Sequence, residues 1–519
     1  MYVKMLSASV AGVEGRIIEV EVDISSGLPQ VSVVGLPDPA VRESVERVRA
    51  AIQNGGMKFP LDRITVNLAP ADLRKEGSAF DLAIAAGILC ASGQLSPDKL
   101  EGAMLIGELA LNGDVRAVPG ILPMTEQARK RGLKRVVVPY PSMAEAALLE
   151  GIEVVGIGSI KEWGSLGEFV DFSVGAKLRV HNRERAVAET DDSDHQLDLA
   201  DVIGQQQGKR ALIIAAAGMH NILFVGPPGT GKTMLCRRLP SLLPDLDDEE
   251  ALTLTKIYSV SGKLVGSRQS LIRARPFRMP HHTVSASGLI GGGSIPKPGE
   301  VTLAHHGVLF LDEMPEFSRA CLEALRQPLE DREVTIGRAR GVCRFPARFM
   351  LAASMNPCMC GYYGGSIEEK PCTCPPSAIA RYRSRMSGPL ADRIDLQVEL
   401  PRVTFRESKS DEWTSARVRT KVAEAYERQK LRYTGSGVSW NSELQGRLLK
   451  RYARLSSEAE SLIGRAYKLL GLSFRAHDRI LKMALTIADL DGRDRIETED
   501  IAEAIQYRCL DHSYAKSNA

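Results

Sequence analysis

The stretch Asn221–Thr233, which reads NILFVGPPGTGKT, decides the fold of the central part of this chain. It opens on the apolar run Ile222–Val225, which predicts a buried strand, and leads into Met234–Leu239, which can form a helix. Between strand and helix, four residues have the spacing G-x-x-x-x-G-K-[ST]: Gly226, Gly231, Lys232 and Thr233. This order predicts a phosphate-binding loop within an α/β domain.

The loop contains the groups that bind a nucleotide phosphate. Its glycines allow backbone N–H groups to point at phosphate oxygens, and the following helix adds its positive N-terminal dipole. We expect Lys232 to reach the β- and γ-phosphates and Thr233 to ligate Mg²⁺. The predicted ATP contacts are Gly226, Pro227, Pro228, Gly229, Thr230, Gly231, Lys232 and Thr233.

Two further apolar runs end in polar residues suited to the same site. Val308–Leu311 is followed by Asp312 and Glu313, and ligands bind at the carboxyl ends of parallel strands. We expect Asp312 to hold Mg²⁺ and Glu313 to polarise the attacking water. The run 349–354 leads to Asn356, whose amide could reach the γ-phosphate; an ordinary turn residue is the alternative.

The sequence pattern divides the chain into four segments. Residues 1–175 alternate short β-like and helical runs, which predicts an α/β domain, and the charge-mixed segment 176–198 is typical of a linker. Residues 199–400 form a second α/β unit around the phosphate loop. Residues 401–519 have apolar side chains at helical spacing and predict a helical domain.

Composition excludes several classes of protein. The chain has 519 residues, of which 44% are hydrophobic and 25% charged, as in globular domains. It has no run of about 18 apolar residues, and its first residues lack the apolar core of a signal peptide. Nine cysteines are too few for a disulfide framework. We therefore expect a cytoplasmic protein with reduced thiols and no membrane contact.

Basic residues are concentrated locally although the net charge is only +3. No Asp or Glu occurs from Ala251 to Gly299, a stretch that holds seven Lys and Arg residues. A second acid-free stretch contains Arg338, Arg340, Arg344 and Arg348. Such segments can line a channel for a polyanion, and solvated surface loops are the alternative.

Four of the nine cysteines form the pattern C-x-C-x₁₁-C-x-C: Cys358, Cys360, Cys372 and Cys374. In a reducing compartment such a cluster is more often a metal site than a pair of disulfides. We therefore predict a zinc-binding insert over 357–375. The zinc would be structural, because four thiolates leave no position on the metal for water.

Three long segments resemble one family of proteins. They are DVIGQQQGKRALIIAAAGMHNILFVGPPGTGKT from Asp201, RPFRMPHHTVSASGLIGGGSIPKPGEVTLAHHGVLFLDE from Arg275 and SGPLADRID from Ser387. They resemble the ComM/YifB family of magnesium-chelatase-like AAA+ proteins, over essentially the whole chain. The resemblance implies a Lon-protease-like N-terminal α/β domain, an AAA+ domain with helix-2 and presensor-1 inserts, and a C-terminal helical lid.

The same resemblance implies a homo-hexameric ring that hydrolyses ATP. ComM members are DNA helicases that drive branch migration in recombination during natural transformation. Single-stranded or branched DNA and the recombinase machinery are therefore the implied partners. The helix-2 insert would be Arg275–Gly299, and the presensor-1 insert a hairpin over Arg332–Phe345 with Arg338 and Arg340 near its tip, where helicases of this branch contact DNA.

Two arginines receive roles from the resemblance. Arg393 would act in trans on the γ-phosphate of the neighbouring subunit, with Arg385 as second choice and an ordinary surface arginine as the alternative. Arg475 would be the sensor-2 residue, acting in cis, with Arg479 as its alternate. An arginine that stabilises transition-state charge in trans increases the rate of GTPases by about 10³–10⁵.

Two N-terminal segments resemble the catalytic segments of Lon. KEGSAFDLAIA from Lys75 resembles the segment with the nucleophilic serine, and GDVRAVPGILPMTEQARKRGLKRVVVP from Gly113 the segment with the lysine. Without gaps these positions fall on Ala79 and Leu122. A shifted alignment could use Ser78 as nucleophile, but an alkyl chain cannot replace an amine base. We therefore predict a non-proteolytic assembly or DNA-interaction module.

Together these features predict an ATP-dependent DNA translocase. Three rivals come from other classes: a chelatase-type motor that remodels a partner protein, a Lon-like protease and a non-catalytic DNA-binding scaffold. The complete set of ATPase residues argues against the scaffold, and Ala79 with Leu122 argues against the protease. The chelatase-type motor is the main alternative, because the AAA+ cores are similar.

Overall fold

The structure is a computed structural model that describes residues 1–72, 75–164, 197–264, 271–293, 296–338, 341–364, 371–402 and 413–508. The predicted linker 176–198 lies outside these ranges except for its last two residues. Arg340 also lies outside them, and Arg338 is described only for its backbone.

The N-terminal domain is built around a seven-stranded sheet. Its elements are β1 (Tyr2–Ala11), β2 (Glu14–Ser25), β3 (Gln30–Val34), α1 (Pro39–Asn54), β4 (Arg63–Ala69), α2 (Asp81–Ala91), β5 (Ala103–Leu105), β6 (Glu108–Leu109), β7 (Val115–Arg116), α3 (Ile121–Lys130), β8 (Arg135–Pro139), α4 (Met143–Ala146), β9 (Glu153–Ile157) and α5 (Lys161–Gly164).

The strand order in this sheet is β3-β4-β2-β1-β5-β8-β9. β1 and β2 form an antiparallel hairpin in which Tyr2 is opposite Asp23, whereas β5, β8 and β9 run parallel. Every residue of α2 is buried, because this helix is apolar after Asp81 and packs against β1, β2 and α1; the Asp81 carboxylate pairs with Arg47 at 2.8 Å.

The central domain contains α6 (Gln206–Gly218), β10 (Ile222–Val225), α7 (Lys232–Cys236), α8 (Leu239–Leu242), α9 (Asp248–Val260), β11 (Phe277–Arg278), α10 (Ala286–Ile290), β12 (Gly291–Gly292), β13 (Lys297–Pro298), α11 (Glu300–Leu303), β14 (Val308–Leu311), α12 (Arg319–Ala324), α13 (Arg326–Asp331), β15 (Glu333–Arg338), β16 (Gly341–Pro346), β17 (Met350–Met355), α14 (Pro376–Arg383), α15 (Gly388–Ala391) and β18 (Leu396–Glu399).

Five of these strands form a parallel sheet in the order β11-β14-β17-β10-β18. β10, β14 and β17 are buried along their whole length, which explains their continuous apolar sequences. All five strands run in the same direction, so the sheet has one carboxyl edge and one amino edge. The predicted presensor hairpin is confirmed as β15 and β16, which pair from Glu333↔Pro346 to Arg338↔Gly341.

The C-terminal domain is helical, as the apolar spacing predicts. It contains α16 (Ser415–Arg432), α17 (Gly446–Tyr452), α18 (Ser457–Leu470), α19 (Phe474–Leu490) and α20 (Thr498–Gln506). α16 and α19 pack against α6, so that this lid and the central domain share one hydrophobic core. Among the described residues, no helix is long and apolar enough to cross a membrane.

The N-terminal domain rests on helix α9 of the central domain. α3 packs along α9, and the Lys256 ammonium lies 2.5 Å from the Glu126 carboxylate, with both side chains buried. Ser259 of α9 donates a hydrogen bond of 2.5 Å to the buried Glu145 carboxylate, and the Gly120 N–H donates to the Ser259 carbonyl. Polar contacts therefore fix the position of the N-terminal domain on α9.

Candidate nucleotide site

The phosphate loop follows β10 at the carboxyl edge of the parallel sheet. Gly229 and Gly231 have φ values of +80° and +85°, a left-handed conformation that favours glycine. Among the described residues, no atom comes within 4 Å of where a Cβ would stand at either glycine. The loop is therefore open on the side that the motif assigns to phosphate.

Lys232 begins α7 and points back into the loop. Its ammonium donates to the carbonyls of Gly226 at 2.7 Å and Pro227 at 2.8 Å, and to the Asn356 side-chain oxygen at 3.3 Å. Burial lowers the pKa of Lys232 because it disfavours the charged ammonium, and a phosphate bound next to the lysine would oppose this shift. The structure thus brings together Lys232 and Asn356, two residues predicted to contact the γ-phosphate.

Thr233 and Asp312 meet beside this lysine. The Thr233 hydroxyl lies 3.0 Å from one Asp312 oxygen, and the buried Ser354 hydroxyl donates to the other at 2.5 Å. Adjacent ligands of an octahedral Mg²⁺ at 2.0–2.1 Å are about 2.9 Å apart. The Thr233 and Asp312 oxygens therefore have the spacing of two neighbouring magnesium ligands.

Glu313 lies at the mouth of the same site. Its side chain is exposed, and its φ of +51° directs the chain sharply away from β14. The Glu313 N–H donates to the Ser354 hydroxyl at 3.1 Å, which fixes this turn to β17. The carboxylate is thus available to a water molecule.

Two residues of this site were missed from the sequence. Ser354 joins Asp312 to the Glu313 backbone, and a serine in an otherwise apolar buried strand was the available signal. Gln205 supports the phosphate loop from behind, since its amide donates to the carbonyls of Thr230 at 3.1 Å and Pro401 at 2.7 Å. We find no comparable sequence signal for Gln205.

Arg393 lies at the opposite, amino edge of the sheet. It lines a cleft of about 370 Å³ together with Arg475, Arg479, Lys482 and the acidic Glu330. Arg393 forms an ion pair with Glu330 and donates to the Pro389 carbonyl at 2.6 Å. Within the described part of the chain, its buried Nε has no hydrogen-bond partner.

Arg475, predicted to act in cis, lies away from the phosphate loop of its own subunit. Its cleft is bounded by Asn221, Phe349 and Asp395, which immediately precede β10, β17 and β18, whereas the phosphate loop follows β10. At about 3.3 Å per residue, the four residues of β10 alone separate the two edges by about 13 Å. The alternate, Arg479, pairs with buried Asp395 at 2.6 Å at the same edge.

Arg385, the second choice for the trans arginine, is engaged within its own subunit. Its guanidinium lies 3.1 Å from the Glu316 carboxylate and donates to the Pro315 carbonyl at 3.3 Å. Arg385 therefore lies close to the turn after Glu313, not in the arginine cleft.

The acid-free stretch 251–299 is largely neutralised within the fold. Four of its basic residues pair with carboxylates from outside it: Lys256 with Glu126, Arg273 with Asp248, Arg275 with Glu250 and Arg278 with Glu300. These four residues are therefore paired within the fold and do not form an unpaired basic surface. Charge counted along the chain missed the partners that folding supplies.

The base of the β15–β16 hairpin is attached to the lid. Arg332 precedes β15 and Arg348 precedes β17, and both guanidiniums lie within 3.3 Å of the buried Glu443 carboxylate. Glu443 also accepts from the backbone N–H of Ser439. Any motion of the lid would therefore reach both ends of the hairpin.

The four predicted zinc ligands converge. Their sulfur atoms all lie within 4.8 Å of one another, with the Cys358–Cys360, Cys360–Cys372 and Cys358–Cys372 pairs at 3.3, 3.6 and 3.7 Å. Tetrahedral ligands at a zinc–sulfur distance of 2.3 Å are about 3.8 Å apart, and disulfide sulfurs only about 2.05 Å. The geometry fits a four-thiolate metal site.

The Lon-like positions of the N-terminal domain are apolar and enclosed. Leu122 is fully buried, its N–H donates to Glu145 at 3.0 Å, and Ala79 packs in the same hydrophobic cluster as the neighbouring strands. The hydroxyl of Ser78 donates to the Glu108 carboxylate. The two positions therefore hold an alanine and a buried leucine in this arrangement.

The fold and this site define the class of the protein as an AAA+ ATPase of the magnesium-chelatase type. Family models of magnesium chelatase, subunit ChlI, match residues 198–408 and 20–142, and a model of the ChlI C-terminal region matches residues 412–508. The chain belongs to the ComM/YifB family of magnesium-chelatase-like AAA+ proteins.

Curated relatives match nearly the full length of the chain. The protein YifB of Escherichia coli (strain K12) is 43% identical over 505 residues, which is 96% of both chains. Competence protein ComM of Haemophilus influenzae is 42% identical over 503 residues, again 96% of both. Lon protease 2 of Bacillus subtilis is 27% identical over 165 residues, 28% of this chain and 29% of its own.

Proposed function

We propose that this protein is an ATP-dependent, ring-forming DNA translocase that promotes branch migration in homologous recombination during natural transformation. It would act in the cytoplasm as a homo-hexamer on single-stranded or branched DNA, next to the recombinase machinery. The main observation that supports this proposal is that a single buried strand, β17, joins the nucleotide site to the hairpin β15–β16.

ATP hydrolysis is supported by the arrangement at the carboxyl edge. Lys232 and Asn356 would bind the γ-phosphate, Thr233 and Asp312 would hold Mg²⁺, and Glu313 would orient the attacking water. Mg²⁺ would neutralise the developing phosphate charge when it is bound. The two hydrogen bonds of Ser354 keep Asp312 and Glu313 in fixed relation.

Assembly into a ring is supported by the separation of the two edges. Arg393 and Arg475 share a cleft that faces away from their own phosphate loop. In a ring, this cleft of one subunit would meet the carboxyl edge of the next, and both arginines would reach the neighbour's γ-phosphate. The Arg393–Glu330 ion pair would then open to release the guanidinium.

Coupling to DNA is supported by chain continuity. β16 ends at Pro346, β17 begins four residues later, and β17 ends one residue before Asn356. A change at the γ-phosphate would therefore shift one end of a buried strand whose other end carries the hairpin. Arg338 and Arg340, which the sequence predicts near the hairpin tip, would contact the DNA backbone without sequence preference.

Besides ATP and Mg²⁺, the proposed cofactor is one structural Zn²⁺. Cys358, Cys360, Cys372 and Cys374 would hold it, and the sulfur spacing supports this assignment. The set of four thiolates suits a structural ion with a closed coordination shell.

The decisive test is migration of a synthetic four-way DNA junction with ATP. We expect wild type to resolve the junction and Lys232→Ala to lose both ATP turnover and migration. The double variant Arg338→Ala/Arg340→Ala should lose junction migration and DNA stimulation of the ATPase. Arg495→Ala, an exposed arginine of the lid, is the matched control and should behave as wild type.

Mixing of subunits tests the trans roles. Arg393→Ala and Arg475→Ala should each lower ATP turnover by about 10³-fold. Mixing either variant with Lys232→Ala should restore part of the ATP turnover. In a mixed ring, some interfaces join a subunit with an intact Lys232 to a neighbour with both arginines intact. Restoration is not expected between Asn356→Ala and Lys232→Ala, which would act at the same carboxyl edge.

A chelatase-type motor that remodels a partner protein is the second candidate. It is favoured by the neutralised stretch 251–299, which leaves less basic surface than the sequence suggests. If wild type hydrolyses ATP at a rate that duplex, single-stranded and branched DNA all leave unchanged, this candidate replaces the translocase.

A further inference from the structure

The cysteine cluster lies directly against the phosphate loop. Gly361, between the second and third cysteines, is buried with a φ of +84°. A Cβ at this residue would stand only 2.6 Å from Cδ of Pro228 in the phosphate loop. Only a glycine allows the two segments to approach this closely, because any side chain would displace one of them.

In the sequence, the cluster closely follows Asn356 of the nucleotide site and leads into helix α14 at its other end. It begins two residues after Asn356, and it ends at Cys374, immediately before Pro375 caps helix α14. The Arg383 side chain of α14 donates to the Pro357 carbonyl at 3.3 Å and lies over the Tyr363 ring at 5.2 Å. A metal bound to all four thiolates would close this long loop at its base.

We propose that Zn²⁺ bound by Cys358, Cys360, Cys372 and Cys374 fixes the wall of the ATP pocket, so that ATP binding and turnover depend on this metal. The inference rests on the proposed function only in that ATP binds at the phosphate loop. With the metal in place, Gly361 is held against Pro228 and Asn356 is held facing Lys232. Without it, the open loop loses the restraint that supports both contacts.

The first test measures metal and nucleotide together. We expect about one zinc per chain in purified wild type and in Cys343→Ser, a half-buried cysteine outside the cluster. Cys358→Ser/Cys360→Ser should contain none and should bind a fluorescent ATP analogue at least about tenfold more weakly. Cobalt reconstituted into wild type should give the thiolate-to-metal absorption of a tetrahedral site.

A metal-free double variant with wild-type nucleotide affinity and turnover overturns the coupling. A double variant that retains full zinc overturns the metal site itself. Circular dichroism and thermal unfolding of the double variant show whether it is folded, and removal of zinc from wild type by a chelator repeats the comparison without any substitution.

A pair of glycines tests the route of the coupling. Gly361→Ala should keep the zinc but weaken nucleotide binding by at least about threefold, because its methyl group would displace Pro228. Gly364→Ala is the matched control, since Gly364 has a similar φ of +81° but no atom of the described residues within 4 Å of its Cβ position. Equal effects of the two variants would exclude the Pro228 contact as the route.

Zinc content and nucleotide binding together distinguish a failure of the proposed ATP site from a failure of the zinc coupling. Lys232→Ala should keep its full zinc content while losing the nucleotide. If wild type contains zinc but binds no nucleotide, then the assignment of the ATP site fails, and the inference fails with it while the metal site stands.

Discussion

Two α/β regions of this molecule resemble catalytic segments, and they use those positions in opposite ways. In the central domain, Lys232, Asp312 and Glu313 lie at an open sheet edge and are held by other polar groups. In the N-terminal domain, the position of the Lon lysine is the fully buried Leu122, covered by Glu145 and helix α9.

The difference shows how a position that resembles a catalytic one can serve as part of an interface. Glu145 accepts one hydrogen bond from its own domain, from the Leu122 N–H, and one from the central domain, from Ser259. A nearby acid–base pair, Glu126 with Lys256, completes the contact. We therefore interpret the N-terminal domain as a support for α9, the helix that precedes the helix-2 insert.

The largest effect is expected at the open edge. Glu313→Gln should lower ATP turnover by about 10²-fold or more, because an amide cannot polarise the attacking water as a carboxylate does. ATP affinity should change little, since among the described residues no hydrogen bond joins the exposed Glu313 side chain to the phosphate loop. Steady-state kinetics and nucleotide titration separate the two quantities.

Glu316→Gln is the control for this prediction. Glu316 is an exposed carboxylate in the same turn, paired with Arg385. An equal loss of turnover in both variants would mean that the turn as a whole, and not the Glu313 carboxylate, carries the effect.

At the buried Leu122 position, a substitution should instead change the free energy of unfolding. Leu122→Ala removes a fully buried side chain and should destabilise the N-terminal domain by about 3 kcal/mol. Leu111→Ala, at a leucine that is 59% exposed, should cost little. Urea unfolding followed by hydrogen exchange in α3 measures the stability of both variants. In a separate peptidase assay, the variant Ala79→Ser/Leu122→Lys should show no activity.

Much of this contrast could be predicted from local sequence. The phosphate loop, Asp312 and the β15–β16 hairpin follow from patterns of a few residues, because strand, turn and ligand chemistry are local. The edge occupied by Arg475 could not be predicted, since it depends on how the lid packs on α6. The carboxylate partners of the basic stretch likewise come from distant segments.

The N-terminal residues show the same limit at the level of secondary structure. The segment that lacks a signal-peptide pattern forms β1, the strand that joins the two halves of the sheet. Its partner β2 extends over Glu14–Ser25, longer than the Ile- and Val-rich segment Ile17–Val22, because hairpin pairing continues through the flanking polar residues. Pairing between strands, unlike apolar periodicity, cannot be seen in one segment alone.

The interface pair gives the next effect. Lys256→Met leaves the buried Glu126 with only the half-exposed Lys130 as an ammonium partner and should destabilise the contact between the domains by about 2 kcal/mol. Lys130→Met removes the other partner of the same carboxylate, but the Lys130 side chain is 53% exposed, so we expect about 0.5 kcal/mol or less. Hydrogen exchange along α3 and α9 provides the measurement, and equal losses would contradict the interface assignment.

The smallest effect concerns the charge of Glu145, which accepts hydrogen bonds from the Leu122 N–H and the Ser259 hydroxyl. Burial raises the pKa of Glu145 against the opposing hydrogen bonds from Ser259 and the Leu122 N–H. The native state therefore keeps a proton that the unfolded chain releases near pH 4.5. Stability falls as pH rises from this value to the raised pKa of Glu145 in the native state. Glu145→Gln keeps an oxygen that accepts both hydrogen bonds but carries no charge. The variant should equal wild type near pH 4 and be more stable by about 1 kcal/mol or less at pH 8.

The exposed Glu150→Gln is the control and should leave the dependence of stability on pH unchanged. If Glu145→Gln instead loses stability as pH rises, the carboxylate charge itself stabilises the interface, and the position is then an electrostatic contact rather than an enclosed hydrogen-bond acceptor.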